Sequence, residues 1–274
     1  MESRRVKPYK ALSQNFLIDK NISDKIVKLS GIDKTCNVLE IGPGLGALTV
    51  PLAEKADHVT AVEVDLRMIP ELKNIITKYQ NVTIVNADIL NINICGLFDD
   101  KKTSESLHVC ANLPYKITTP VITKLIETDM FSTITVMVQK EVAERMCAKP
   151  GTPEYGAFTV YVSYHTIPEI LFDVPPECFT PRPKVTSSVV KMTVIKEHRL
   201  NIKDEKSFFR VVRAAFGQRR KTLINALYAV FERTHSKEDI IKAIESCGFD
   251  TKIRGERLSI DDFIKLSKEM KYNI

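Results

Sequence analysis

The chain is 274 residues long, 44% hydrophobic, and carries a formal charge of +6. That length holds one large domain, or one domain with a smaller companion. No apolar run approaches the ~20 residues of a membrane span, and the basic start, Met1 to Lys10, lacks the apolar segment of a signal peptide. The six cysteines (36, 95, 110, 147, 178 and 247) form no C-x-x-C pair, which argues against zinc and a disulfide framework and fits reduced thiols in a cytoplasm. The five histidines (58, 108, 165, 198 and 235) show no metal-ligand spacing, so no metal is expected.

The charge is unevenly placed. Lys196 to Ile274 carry 18 Lys/Arg and 12 Asp/Glu, which leaves the first 195 residues neutral. A polyanion is the partner this implies; a solvated basic surface is the plainer alternative.

In chain order, a basic arm (Arg4, Arg5, Lys7, Lys10) leads into Ser13-Gln14-Asn15-Phe16-Leu17-Ile18-Asp19. The arm is either a tail or a phosphate-binding arm, which composition does not separate. Asp19 predicts a cap for a helix over Lys20–Leu29, with Ile22, Ile26 and Leu29 on one face. The stretch around which the rest is organised follows: Val38-Leu39-Glu40-Ile41-Gly42-Pro43-Gly44-Leu45-Gly46, an apolar strand entering a glycine turn, then a helix-competent segment to Lys55. Glycines there permit positive φ and let backbone N–H groups approach a ligand. The same turn also occurs with nothing bound, so the neighbouring strand ends decide.

Strand-like runs recur at Val59–Val64, Val82–Val85, Leu107–Ala111 and Ile134–Val138, with helices predicted between, including Leu66–Tyr79 and Thr119–Thr128. Such alternation predicts a parallel sheet buried on both faces, and ligands of such sheets bind beyond the C-terminal strand ends. Those ends are polar: Glu63, about 20 residues past the glycine turn, where a carboxylate can take ribose hydroxyls; Asp88; and Asn112-Leu113-Pro114-Tyr115. Each carboxylate alone could be a helix cap. Two helices broken at 149–153 are expected over 139–165, then strands at Ile167–Phe172 and Val185–Val194 flanking a proline-rich loop, Pro175 to Pro183. A boundary is placed at 198. Beyond it four short helices are predicted, and Lys206 to Val230 contains no acidic residue, so Arg213, Arg219, Arg220 and Lys221 are candidate RNA phosphate contacts.

The Asn-Leu-Pro-Tyr end carries a specific chemistry. An exocyclic amine of a nucleobase is a poor nucleophile because its lone pair is delocalised into the ring. The Asn112 side-chain carbonyl and the Leu113 backbone carbonyl can accept its two hydrogens and favour a pyramidal nitrogen. Tyr115 offers a stacking face, worth about 1–3 kcal/mol per base.

Taken together, Gln14-Asn15-Phe16-Leu17, Glu40 to Gly46, Glu63, Asp88, Asn112 to Tyr115, the Phe179-x-Pro-x-Pro-Lys-Val run ending at Val185, and Phe216 to Leu223 resemble the ribosomal RNA adenine dimethyltransferases, in their small-subunit (kasugamycin-sensitivity) branch. The resemblance spans essentially the whole chain. It implies a Rossmann-like α/β sheet binding S-adenosyl-L-methionine over residues 1–198, and a small all-helical rRNA-binding domain over 199–274. It further implies that Asn15, Leu17, Gly42, Gly44, Glu63, Asp88 and Asn112 hold the cofactor. Asn112 and Leu113 would position adenine N6, and Tyr115 and Phe179 would stack on the base. The expected reaction is dimethylation of N6 on two adjacent adenosines near the 3′ end of small-subunit rRNA in the 30S particle, by a cytoplasmic monomer. Three other readings share parts of the pattern. The erythromycin-resistance branch acts on large-subunit rRNA. A non-catalytic assembly factor would use the same scaffold. An NAD(P) dehydrogenase would leave Asn112 to Tyr115 unexplained and needs G-x-G-x-x-G, where this turn is G-x-G-x-G.

Overall fold

A computed structural model describes residues 14–98, 106–197 and 202–270, the side chains of 202–204 excepted. The basic N-terminal arm and His198 lie outside them. In chain order the elements are β1 (Phe16–Leu17), α1 (Lys20–Ser30), β2 (Asn37–Ile41), α2 (Thr49–Lys55), β3 (His58–Glu63), α3 (Ile69–Ile76), β4 (Val82–Asn86), β5 (Leu107–Asn112), α4 (Thr118–Glu127), β6 (Thr133–Gln139), α5 (Lys140–Met146), α6 (Ala157–His165), β7 (Thr166–Val174), β8 (Phe179–Thr180), β9 (Ser187–Val194), α7 (Ile202–Gly217), α8 (Leu223–Phe231), α9 (Lys237–Ser246) and α10 (Ile260–Glu269). They form two compact units: residues up to 143 with 167–195, and 144–166 with the chain from 196 on.

The first unit is a seven-stranded sheet in the order β4-β3-β2-β5-β6-β9-β7. β2 to β6 pair in parallel, and β9 is antiparallel to β6. All five residues of β2 are buried, as an apolar strand at the middle of such a sheet must be. Chain order runs outward from β2 to β4, then returns to β5 on the other side. The ladder between β2 and β5 covers Asn37–Leu39 against Leu107–Val109, and beyond it the two strands part, β2 running on beside β3 to Ile41 and β5 beside β6 to Asn112. The sheet splits there, at its topological switch point, where a ligand crevice is expected. The core packed against these strands includes Val38, Val59, Cys110, Met137 and Val189, with Ile26 and Val27 of α1 and Leu52 of α2. Asp19 caps α1, accepting a hydrogen bond from the Asn21 N–H at 2.9 Å.

One element has no counterpart in the sequence reading. β1 and β8 pair antiparallel, Phe16 with Thr180 and Leu17 with Phe179, inside what reads as a coil and a proline-rich loop. Two-residue strands carry no periodicity to detect.

The second unit is helical. Phe208, Leu227 and Phe263 are fully buried at its centre. Gly255 is required by close packing, because a Cβ there would lie 2.9 Å from both Cβ and the carbonyl oxygen of Ala215. This unit also takes in 144–166, which the sequence division at 198 leaves with the sheet. The cause is packing: Tyr155, Val160 and Tyr164 bury their side chains in the helical core, and the Tyr155 hydroxyl donates to the Leu258 carbonyl at 2.8 Å. Burial pushes that phenol up to about 12.

Candidate active site

The crevice is walled by the glycine turn after β2. Gly42, Gly44 and Gly46 have φ of 66°, 54° and 75°, the left-handed region. The Gly42 N–H donates to the Val62 carbonyl at 2.9 Å, tying the turn to β3. At Gly44 a Cβ would sit 3.0 Å from the Phe16 ring, so a side chain would crowd the β1 segment packed over it.

Two buried carboxyl groups lie under this turn. Glu63, 4% exposed, accepts from the Asp65 N–H at 2.8 Å and the Gly44 N–H at 3.1 Å. Burial holds its carboxyl above the usual range, although those two N–H groups pull it back. Glu40, 1% exposed on β2, is pushed up to about 8 by burial, with the Glu63 charge adding to it; it keeps its proton at neutral pH. Its Oε2 has no hydrogen-bond partner among the described residues. Beside them Asp65 grips the Arg67 guanidinium with both oxygens, at 2.8 and 2.5 Å, and accepts from the Gln14 side chain at 3.0 Å. The Arg67 hydrogen bonds hold Asp65 down at about 2.

On the β5 side, the Asn112 carboxamide donates from Nδ2 to the Asn15 carbonyl at 3.2 Å, across 97 residues of sequence. That leaves Oδ1 as the acceptor to present to a ligand. The Leu113 N–H donates to the Met137 carbonyl of β6 at 3.1 Å, which fixes the turn. Tyr115 is half-buried, and its hydroxyl meets the Ser187 hydroxyl at 2.7 Å. Burial raises its phenol. Asp88 closes the turn after β4: its oxygens accept from the Leu90 N–H at 2.9 Å and the Asn91 side chain at 2.8 Å. Asp88 caps no helix among the described residues: it closes a turn and lines the cavity.

One cavity gathers all but one of the catalytic and cofactor-binding residues singled out from sequence: Asn15, Leu17, Gly42, Gly44, Glu63, Asp88, Asn112, Leu113 and Tyr115. Phe179 is not among them. It is 3% exposed and packs in the core with Leu17, Val174 and Cys178, its register partner across the β1–β8 pair being Leu17. The structure adds Gln14, Lys116 and above all Glu40 to the wall. An acidic residue inside an otherwise apolar strand, two positions before the first glycine, was the available signal for Glu40. In the helical unit Arg213, Arg219, Arg220 and Lys221 are exposed. Arg219 is engaged within that unit, donating to the Pro153 carbonyl and pairing with Glu256 at 3.3 Å.

The cavity suits a nucleoside sulfonium. Ile41, Leu48 and Ile89 line it with apolar surface, the glycines let the turn backbone approach a ligand, and Glu63 and Asp88 set carboxylates where hydroxyl and amino groups or positive charge would sit. Fold and site thus define an S-adenosylmethionine-dependent methyltransferase. The chain belongs to the family described as ribosomal RNA adenine dimethylase, whose model matches residues 6–271. It is similar to the ribosomal RNA small subunit methyltransferase A of Shouchella clausii (45% identity, covering 94% of this chain and 88% of that one) and of Caldanaerobacter subterraneus (43%, covering 97% and 98%). Among solved structures, a dimethyladenosine transferase from Plasmodium falciparum aligns with a TM-score of 0.81 at 30% identity, covering 94% of this chain and 98% of that one. The 23S rRNA methyltransferase ErmE shares the fold, with a TM-score of 0.72 at 24% identity over 94% and 100% of the two chains.

Proposed function

We propose that this chain dimethylates N6 of two adjacent adenosines near the 3′ end of small-subunit rRNA, acting on the 30S particle in the cytoplasm. The observation that carries the chemistry is the Asn112 carboxamide, anchored through Nδ2 with Oδ1 left over, at the edge of a glycine-lined cavity beside Tyr115. The choice of small-subunit RNA rests on the names of the relatives at 43–45% identity. The compartment is supported by six free cysteines, and no helix among the described residues is long and apolar enough to cross a membrane.

S-adenosylmethionine supplies an electrophilic methyl group on its sulfonium sulfur when bound. Glu63 would take the ribose hydroxyls, Asp88 the adenine amino group, and Asn15 and Leu17 would cover the cofactor from β1. The target adenine leaves its stack to enter the site. Asn112 Oδ1 and the Leu113 carbonyl accept the two N6 hydrogens, which directs the nitrogen lone pair along the line of displacement. The Asn112 and Leu113 carbonyls would hold the nitrogen in place while N6 takes the methyl group and the neutral thioether is left, and the proton of the alkylated, now acidic nitrogen passes to solvent. No strong base is required, and orientation can supply ~7–11 kcal/mol of the acceleration. Tyr115 carries the stacking; Phe179, buried in the core, backs the β1 segment instead. Arg213, Arg220 and Lys221 of the helical unit would contact RNA phosphates.

The test is transfer of labelled methyl to undermodified 30S subunits, followed by nucleoside analysis. Dimethyladenosine in the small-subunit RNA is expected. Incorporation into naked large-subunit rRNA with none into 30S particles would overturn the substrate assignment.

A further inference from the structure

Tyr115 and Ser187 lie 72 residues apart and meet hydroxyl to hydroxyl at 2.7 Å. Ser187 opens β9, is fully buried, and pairs in register with Gln139 at the end of β6. Asn112 pairs with Met137 of the same β6, so the serine sits at the rim that bears the target-base residues. Strand alternation sends the neighbouring Ser188 to the other face, where its hydroxyl donates to Asp173 at 2.7 Å. A tyrosine ring held only through its backbone can turn about χ1 and χ2. A second tether at the far end of the ring fixes χ1 and so the line of the ring axis, and because a phenolic hydroxyl bonds in the plane of its ring it also restrains rotation about χ2. The Tyr115 hydroxyl is therefore committed to a buried partner before any base arrives.

We infer that Ser187 is a positioning residue for methyl transfer: by holding the Tyr115 hydroxyl it sets the plane on which the target adenine stacks. The inference rests on Tyr115 being the stacking face proposed above. It requires the hydrogen bond, and not serine itself, to carry the effect. It also predicts an effect on product. After one transfer the N6-methyladenine must be re-seated with its remaining hydrogen aligned, so a ring with a loose plane favours release of the monomethyl product.

The experiment compares wild type, Ser187→Ala, Tyr115→Phe, the double variant and Tyr115→Ala on undermodified 30S subunits, with cofactor affinity measured by calorimetry. Each hydroxyl deletion should lower kcat/KM for RNA roughly 2- to 10-fold, the worth of one neutral hydrogen bond. Each should also raise the monomethyl share and leave cofactor affinity unchanged. The double variant should match either single one, because both remove the same bond. Losses that multiply in the double variant, or a wild-type rate and product ratio in Tyr115→Phe, overturn the inference; the latter suffices alone if Ser187→Ala does not fold. Tyr115→Ala separates the two levels: if it is as active as wild type, the stacking reading itself fails, whereas its inactivity beside unaffected hydroxyl deletions refutes only the Ser187 role.

Discussion

Replacing Asn112 by alanine separates two things that its carboxamide does at once. Nδ2 holds the Asn15 carbonyl at 3.2 Å, and in the proposed mechanism Oδ1 accepts from the adenine amine. The first is a neutral hydrogen bond worth about 0.5–1.5 kcal/mol, so its loss should weaken cofactor binding by roughly 2- to 10-fold through a looser β1 segment. The second acts at the reacting nitrogen. Removing one preorganised polar group of that kind costs about 10²–10³ in kcat, or about 2.7–4 kcal/mol. Calorimetric titration with S-adenosylmethionine and labelled-methyl transfer to undermodified 30S subunits measure the two quantities separately. The rate should fall at least ten times further than the affinity. Turnover within threefold of wild type would refute the assigned role, and equal losses of rate and affinity would reduce Asn112 to an anchor for Asn15.

Glu40 gives a pH signature. It keeps its proton to about pH 8 when folded but releases it near 4.5 when unfolded, so the unfolded chain binds fewer protons between those values and stability falls as pH rises through them. Glu40→Gln should remove that slope, and the melting temperature of the variant should gain on wild type from pH 5 to pH 8; parallel curves would contradict the buried, protonated state. Gly44→Ala places a Cβ at positive φ and 3.0 Å from Phe16, at a cost of about 1–2 kcal/mol for the backbone alone. Weaker cofactor binding with a nearly unchanged fold by circular dichroism is expected, and wild-type affinity would rule out the tight fit. For the helical unit, Arg220→Ala and Lys221→Ala should each weaken RNA binding and flatten the log–log salt dependence by about 1. An unchanged slope would place these side chains off the phosphates.

The parallel sheet was legible because its strands are short apolar runs bounded by helices, and a fully buried strand such as β2 needs that composition. The site was legible for a related reason: with the sheet order of this class, the glycine turn after β2 and the polar residues at the ends of β3 to β5 must converge at one rim. What stayed hidden depends on contacts far apart in sequence. The β1–β8 pair holds Leu17 against Phe179 through two residues on each side, too few for any period. Phe179, which motif spacing would send to the base, lies in the core with Leu17, Val174 and Cys178, a burial that no local pattern announces. Glu40 was visible as a residue but not as a proton holder, since its burial is a property of the folded strand. Arg219, one of a run of three basic residues, looked identical to Arg220 until its partners Pro153 and Glu256 arrived from elsewhere in the chain.

The helical unit is assembled from two separated pieces of chain, 144–166 and the segment from 196 onward, with the last strands of the sheet written between them. A ribosome releasing this polypeptide delivers Tyr155, Val160 and Tyr164 well before Phe208, Leu227 and Phe263 exist to receive them. The first piece precedes its packing partners by the whole of β7 to β9, so the chain of the sheet unit is complete before that of the helical unit. The same interleaving governs any attempt to graft the helical unit of one relative onto the sheet unit of another. A single crossover near 198 would pair one parent's Tyr155 and Tyr164 with the other parent's helices, and a workable exchange has to carry both pieces.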